Sequence, residues 1–158
     1  MFLRFFEHRS GRNYAHARPR RNIHWRRLSN ISPQNGNLNR GVWKSIEELT
    51  RDNANRYGEI LVVTGPVFTD KKGLGYIGDN RVLIPNAFYK VLLAYDNGYT
   101  GIGFYCENVA GKKKLQTYAR SIDEIERITG IDFFHLLADE IENGIEARYD
   151  WNDWKTQN

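Results

Sequence analysis

"LSNISPQNGNLNRGVWKSIEELTR", Leu28 to Arg51, sets Asn30, Asn35, Asn37 and Asn39 within ten residues and then becomes an amphipathic run carrying Glu47 and Arg51. Val42, Ile46 and Leu49 recur at helical spacing, with Trp43 beside them and Gly58 as a stop, so a helix is expected from Gly41 to about Tyr57. Asparagine ahead of a helix ordinarily caps it, its side-chain oxygen accepting from the free N–H groups of the first turn. A single cap accounts for one of the four. It accounts for neither Glu47 nor Arg51, which lie one helical turn apart on a shared face. With Asn39 at the helix start, its neutral amide oxygen suits a hard cation such as Mg²⁺, which takes oxygen ligands, keeps several waters and shares a substrate phosphate. Glu47, two turns on, is placed to hold metal-bound waters, and Arg51 offers a fork of donors to a phosphate.

Working outward, "EILVVTGPVF" is a short continuous apolar run bounded by Gly65-Pro66 and reads as a strand buried on both faces. The segment "DKKGLGYIGDNRVLIPNAFYKVLLAYDNGYTGIGFYC" is broken by glycine and Asn/Asp-Gly signals into β-type pieces near 75–77, 81–84, 87–95 and 99–106. Asp96-Asn97-Gly98 marks a hairpin, so an antiparallel meander is expected. Ser121 followed by Glu124 is a capping box for a short helix buried through Ile122, Ile125 and Ile128 and ending at Gly130. Asp132 is expected to cap a further helix in which Phe133, Leu137, Ile141 and Ile145 repeat every four residues as core positions. His135 stands alone there and reads as a partly exposed helical residue rather than a ligand. The order is helix, sheet, then two helices, which is an α+β class.

At 158 residues the chain forms one domain, long enough to bury about two-thirds of its unfolded surface without a disulfide or metal staple. No run of 18 apolar residues exists, which excludes a membrane-spanning helix. The sole cysteine, Cys106, lies in an apolar run and is expected to be a buried thiol. The net charge of +4 conceals an asymmetry: residues 1–27 hold eight arginines against one acid, Glu7, and the remainder is slightly acidic. An arginine-rich arm can contact phosphate, and a disordered leader is the plainer expectation. That segment carries no secretory signal, because arginines interrupt the apolar core such a signal needs. Lys112, Lys113 and Lys114 read as a solvated turn.

"SNISPQNGNLNRGVWKSIEELTR" closely resembles the signature of the DNA/RNA non-specific endonucleases, the sugar-nonspecific branch of the ββα-metal (His-Me finger) nucleases. "VVTGPVF", "VLIPNAFYKVLL" and "SIDEIERITGIDFF" resemble later blocks of the family in the same order, and the likeness spans residues 28–150. The resemblance implies an antiparallel β-sheet flanked by helices and a Mg²⁺-dependent endonuclease acting on DNA and RNA through phosphate contacts. It implies Asn39 as the protein ligand of Mg²⁺ or a similar divalent cation, Glu47 as the acid orienting metal waters, and Arg51 near the scissile phosphate. Asn30 falls on the asparagine that supports the site from a preceding strand.

The family's general base belongs to an Asp-Arg-Gly-His motif, which this sequence does not contain. His16, in "NYAHARP", and His24, in "NIHW", are the nearest candidates, with His16 the better placed; both fall closer to Asn30 than the motif's roughly twenty residues. The expectation is therefore a nuclease domain over 28–150 lacking its N-terminal strands, preceded by a leader over 1–27 from a shifted frame or internal start and followed by a tail over 151–158. A non-catalytic nucleic-acid-binding remnant of the same fold is the alternative function. Relatives are often secreted or periplasmic, and the sequence leaves localisation and oligomeric state open.

Overall fold

The computed structural model describes residues 4–9, 32–69, 73–111 and 114–155. An antiparallel five-stranded sheet runs in the order β1 (Arg4–Arg9), β2 (Glu59–Val67), β5 (Ala87–Tyr95), β6 (Tyr99–Glu107), β7 (Ala119–Arg120). β3 (Tyr76–Ile77) and β4 (Val82–Leu83) pair separately as a small hairpin. The meander read from the glycine and Asn-Gly punctuation is present, and Asn97 turns it between β5 and β6 with φ of +53°. β1 lies within the segment expected as a leader and pairs along β2 from Arg4 opposite Thr64 to Arg9 opposite Glu59. Pro66, which has no N–H to give, lies past the end of that pairing and stands opposite Phe88 of β5.

Helices cover both faces. Gly36–Leu38 (α1), the wide turn Asn39–Trp43 and Lys44–Tyr57 (α2) run on from one another and bury Leu38, Val42, Trp43, Ile46 and Leu49 against Ile60, Phe88, Leu92, Ile102 and Phe104. On the opposite face α3 (Ile122–Thr129) sets Ile122 and Ile125 on Val63, Tyr89 and Val91. β5 lies between the two layers and is buried from Ala87 to Ala94. Cys106 is fully buried, and burial pushes its thiol pKa up to about 12. β2 is less enclosed than a strand buried on both faces: Leu61 stays 39% exposed at a shallow apolar cleft beside residues 131–137.

Four expectations for the C-terminal third need correction. The Ser121 capping box is complete, with both reciprocal hydrogen bonds present, and Gly130 ends α3 at a φ of +67°. The following helix does not begin at Asp132. Phe134 takes a φ of +56°, which breaks a helix there, and α4 runs only over Asp139–Glu146. Phe133 is buried, whereas Ile141 is 39% exposed, so the four-residue repeat is not one core stripe. His135 is exposed in a turn rather than on a helix. Residues 151–154, expected to trail as a tail, form the short helix α5 (Trp151–Trp154), and Trp154 is completely buried beside α2. Asn53 ties it there, donating to the carbonyls of Leu49 and Trp154 at 2.9 and 2.8 Å. No helix among the described residues is long and apolar enough to cross a membrane.

Candidate metal and phosphate site

The amide-rich stretch divides its labour among its asparagines. Asn35, not Asn39, caps the helix: its side-chain oxygen accepts from the N–H groups of Asn37 and Leu38 at 2.9 and 3.2 Å. The N–H of Asn39 then donates to the carbonyl of Asn35 at 2.9 Å, so Asn39 stands one turn inside the helix. Its side-chain nitrogen donates to Oε1 of Gln34 at 2.6 Å. That bond turns the amide so that Oδ1, the atom suited to a hard cation, has no hydrogen-bond partner among the described residues. The side chain is exposed to solvent.

Immediately after Asn39 the backbone departs from helical geometry. Gly41 has φ of −101° and ψ of −115°, and the wide turn Asn39–Trp43 is the consequence. Such wide turns commonly lie at functional positions because they re-aim the side chains before them. On an unbroken α-helix, eight residues of separation would leave Asn39 and Glu47 about 80° apart around the axis. Their relative facing is set by the kink instead. Val42 and Trp43 bury themselves straight after it, and Trp43 packs on Phe88 with ring centroids 5.7 Å apart. Lys90, itself buried, places its Nζ 5.0 Å from the Trp43 ring centroid, a cation–π contact that further fixes this turn to β5.

Glu47 and Arg51 are both exposed on α2, four residues apart. No ion pair joins them; the i, i+4 pair on this helix is Lys44 with Glu48, at 3.6 Å. Both side chains reach solvent. Asn30, His16 and His24 lie outside the described residues, as do Lys112 and Lys113.

Asn108, which sequence reasoning passed over, holds the loop that presents Asn39. It lies just past β6 and is buried. Its Oδ1 accepts from the N–H of Asn35 at 2.7 Å, and its Nδ2 donates to the carbonyls of Pro33 and Pro85 at 3.1 and 2.9 Å. Asn86, next in line, donates its N–H to Val67 and accepts the Asn108 N–H at 2.8 Å. The "IPNAF" segment and the end of β6 thus clamp the start of the helix. The signal for this lay in an asparagine directly after an apolar strand, a place where a polar side chain is buried only if its donors and acceptors are met. Beside the helix start, a cleft of about 280 Å³ is lined by Leu38, Tyr105, Glu107, Tyr118 and Arg120. Aromatic faces and a guanidinium are groups on which a nucleotide strand can rest.

Residues 19–140 match the family model described as DNA/RNA non-specific endonuclease, nine residues further upstream than the resemblance read from the sequence. The mitochondrial nuclease EXOG of Danio rerio is 34% identical over 124 residues, covering 70% of this chain and 36% of that protein. Nuclease C1 of Cunninghamella echinulata is 33% identical over 122 residues, covering 70% of this chain and 48% of that protein. The mitochondrial endonuclease G of Homo sapiens is 29% identical over 123 residues. A crystal structure of the EndoG/EndoGI complex superposes with a TM-score of 0.64 at 25% identity, covering 72% of this chain and 52% of that one. The chain spans between a third and a half of the length of these curated relatives. Matching over most of its length, with the antiparallel sheet and helices to go with it, the chain belongs to the DNA/RNA non-specific endonuclease family.

Proposed function

We propose that the chain carries the metal-binding and phosphate-binding half of a nuclease site that hydrolyses phosphodiester bonds of DNA and RNA without sequence preference. The observation that carries this reading is the oxygen of Asn39, without a hydrogen-bond partner among the described residues and presented to solvent by a helix start that is otherwise clamped. The donor set fits a divalent cation such as Mg²⁺: one neutral amide oxygen for direct ligation and one solvent-exposed carboxylate, Glu47, to hold waters, all hard oxygen groups. Asn39 and waters held by Glu47 would bind the ion, whose chemistry there would be to offset negative charge on the phosphate oxygens and the departing 3′-oxygen. Arg51 supplies paired N–H donors to the non-bridging oxygens and so orients the phosphate for in-line attack by water. His16 is the candidate to accept the proton of that water. Family membership and the exposed site support the reading.

A second reading is favoured by the absence of an Asp-Arg-Gly-His sequence together with the eight arginines of residues 1–27. In it the chain is a non-catalytic nucleic-acid binder that uses the arginines for phosphate. Incubation of supercoiled plasmid and of RNA with Mg²⁺ or with EDTA separates the two. Mg²⁺-dependent nicking that falls on the order of 100-fold in Asn39→Ala is expected for the nuclease. Salt-sensitive gel retardation without cleavage would replace it with the binder.

A further inference from the structure

We propose that Asp123, Glu126 and Glu146 form a calcium site that joins α3 to α4, separate from the Asn39 site. One carboxylate oxygen from each lies within 4.8 Å of the others. Glu146 is the decisive member. It is more than nine-tenths buried, and its Oε1 is enclosed in protein without a hydrogen-bond partner. A buried acceptor left unmet costs its full desolvation, more when it is charged. Glu142, one turn earlier on α4, likewise encloses an unpartnered Oε1.

Nothing among the described residues compensates the charge. Among the described residues no Lys, Arg or His comes within ion-pairing distance of Asp123, Glu126, Asp132, Glu142 or Glu146. Glu146 is also the last residue of α4, where the partial negative charge of the helix end adds to the repulsion. Burial first, and then Glu126, Glu142, Asp123 and Asp132, push its pKa up to about 8. A proton on Glu146 relieves part of this near neutrality. A divalent cation brings two positive charges to the cluster and ligates its carboxylate oxygens directly, and in doing so it displaces that proton.

Calcium fits better than magnesium. It accepts several carboxylates with irregular geometry, mono- or bidentate, and completes its shell with water and backbone oxygens. The cluster supplies three carboxylates of unequal freedom, since Glu126 already accepts from the N–H of Phe133 at 2.7 Å. Occupation would lock the 131–138 turn, which Glu126 holds, against α3 and α4.

The test uses the full chain stripped with EDTA, compared in buffers above pH 8 with and without Ca²⁺ at millimolar level. Calcium is expected to raise the melting temperature by about 3–5 °C, and Tb³⁺ to titrate to saturation with displacement by Ca²⁺. Both responses should vanish in Glu146→Gln and Asp123→Asn and persist in Asn39→Ala. Glu146→Gln mimics the protonated side chain, so it should fold as well as the parent, and the luminescence titration reads binding even where a variant is less stable. Absence of any Ca²⁺ or Tb³⁺ response in the parent chain overturns the proposal. So does a response that survives in Glu146→Gln, or one lost in Asn39→Ala, which would place the ion at the other site and leave the nuclease reading standing.

Discussion

The N–H of Asn35 donates to Oδ1 of Asn108 at 2.7 Å across 73 residues of chain, so the cap of the first helix is itself held by the far end of the sheet. With its two donations to Pro33 and Pro85, the Asn108 amide satisfies three backbone groups at once. Asn108→Ala deletes all three bonds in a buried place and should cost roughly 2–4 kcal/mol of stability by urea denaturation. Asn108→Asp keeps the acceptor but loses both donors and introduces a charge, and should cost at least as much. If either variant unfolds at the same urea concentration as the parent, the clamp is not what fixes this loop.

Asn35 and Asn39 should separate cleanly by substitution. Asn35→Ala removes two capping bonds and is expected to lower stability by about 1 kcal/mol. Asn39→Ala removes one exposed bond to Gln34 and should change stability by less than about 0.5 kcal/mol. Metal-dependent cleavage should respond in the reverse order, with Asn39→Ala the more damaging. Equal losses of stability in the two variants would mean that Asn39 is as structural as Asn35.

Most of the fold was legible because its signals are local. The hairpin turn at Asn97-Gly98, the capping box at Ser121 and the apolar pieces near 87–95 and 99–106 each follow from a few neighbouring residues, and each has its place in the structure. What misled was long-range. Four asparagines share the same capping chemistry, and the choice of Asn35 is made by Asn108, far along the chain. The repeat of Phe133, Leu137, Ile141 and Ile145 looks helical, yet the N–H of Phe133 is taken by the side chain of Glu126 and its ring packs on Tyr89, with centroids 5.6 Å apart. Those contacts turn the chain before a helix can start. At the candidate site the kink at Gly41 was not legible, because it depends on how Val42 and Trp43 enter the core.

The glycines of β6 that face α3 should tolerate alanine unequally. At Gly101 an added Cβ would come within 2.6 Å of Ile122 Cδ1, the far end of a flexible side chain. At Gly103 it would come within 2.7 Å of Ile125 Cγ1 and 3.3 Å of the Arg120 and Ser121 carbonyls, which are backbone and cannot rotate away. Overpacking of this kind costs about 1–3 kcal/mol, and Gly103→Ala should lie toward the upper end and Gly101→Ala toward the lower. Thermal denaturation of the two variants side by side checks the order, and a more stable Gly103→Ala would show that α3 is free to shift outward.

Glu146 gives the molecule a dependence on pH whose sign is opposite to that of a salt-bridged carboxylate. Its pKa in the folded chain is raised from 4.5 to about 8, burial being the largest cause, so the folded state holds this proton more tightly than the unfolded state does. The stabilisation from that proton is complete below about pH 4.5 and is lost progressively as pH rises toward 8, beyond which the carboxylate is charged in both states. Glu146→Gln removes the titration and keeps the shape. In EDTA, the melting temperature of the parent chain should therefore fall relative to Glu146→Gln between about pH 5 and pH 8, then run parallel to it. A difference between the two that stays constant across that range would mean the side chain finds water or rearranges, and that its carboxylate is not held away from solvent.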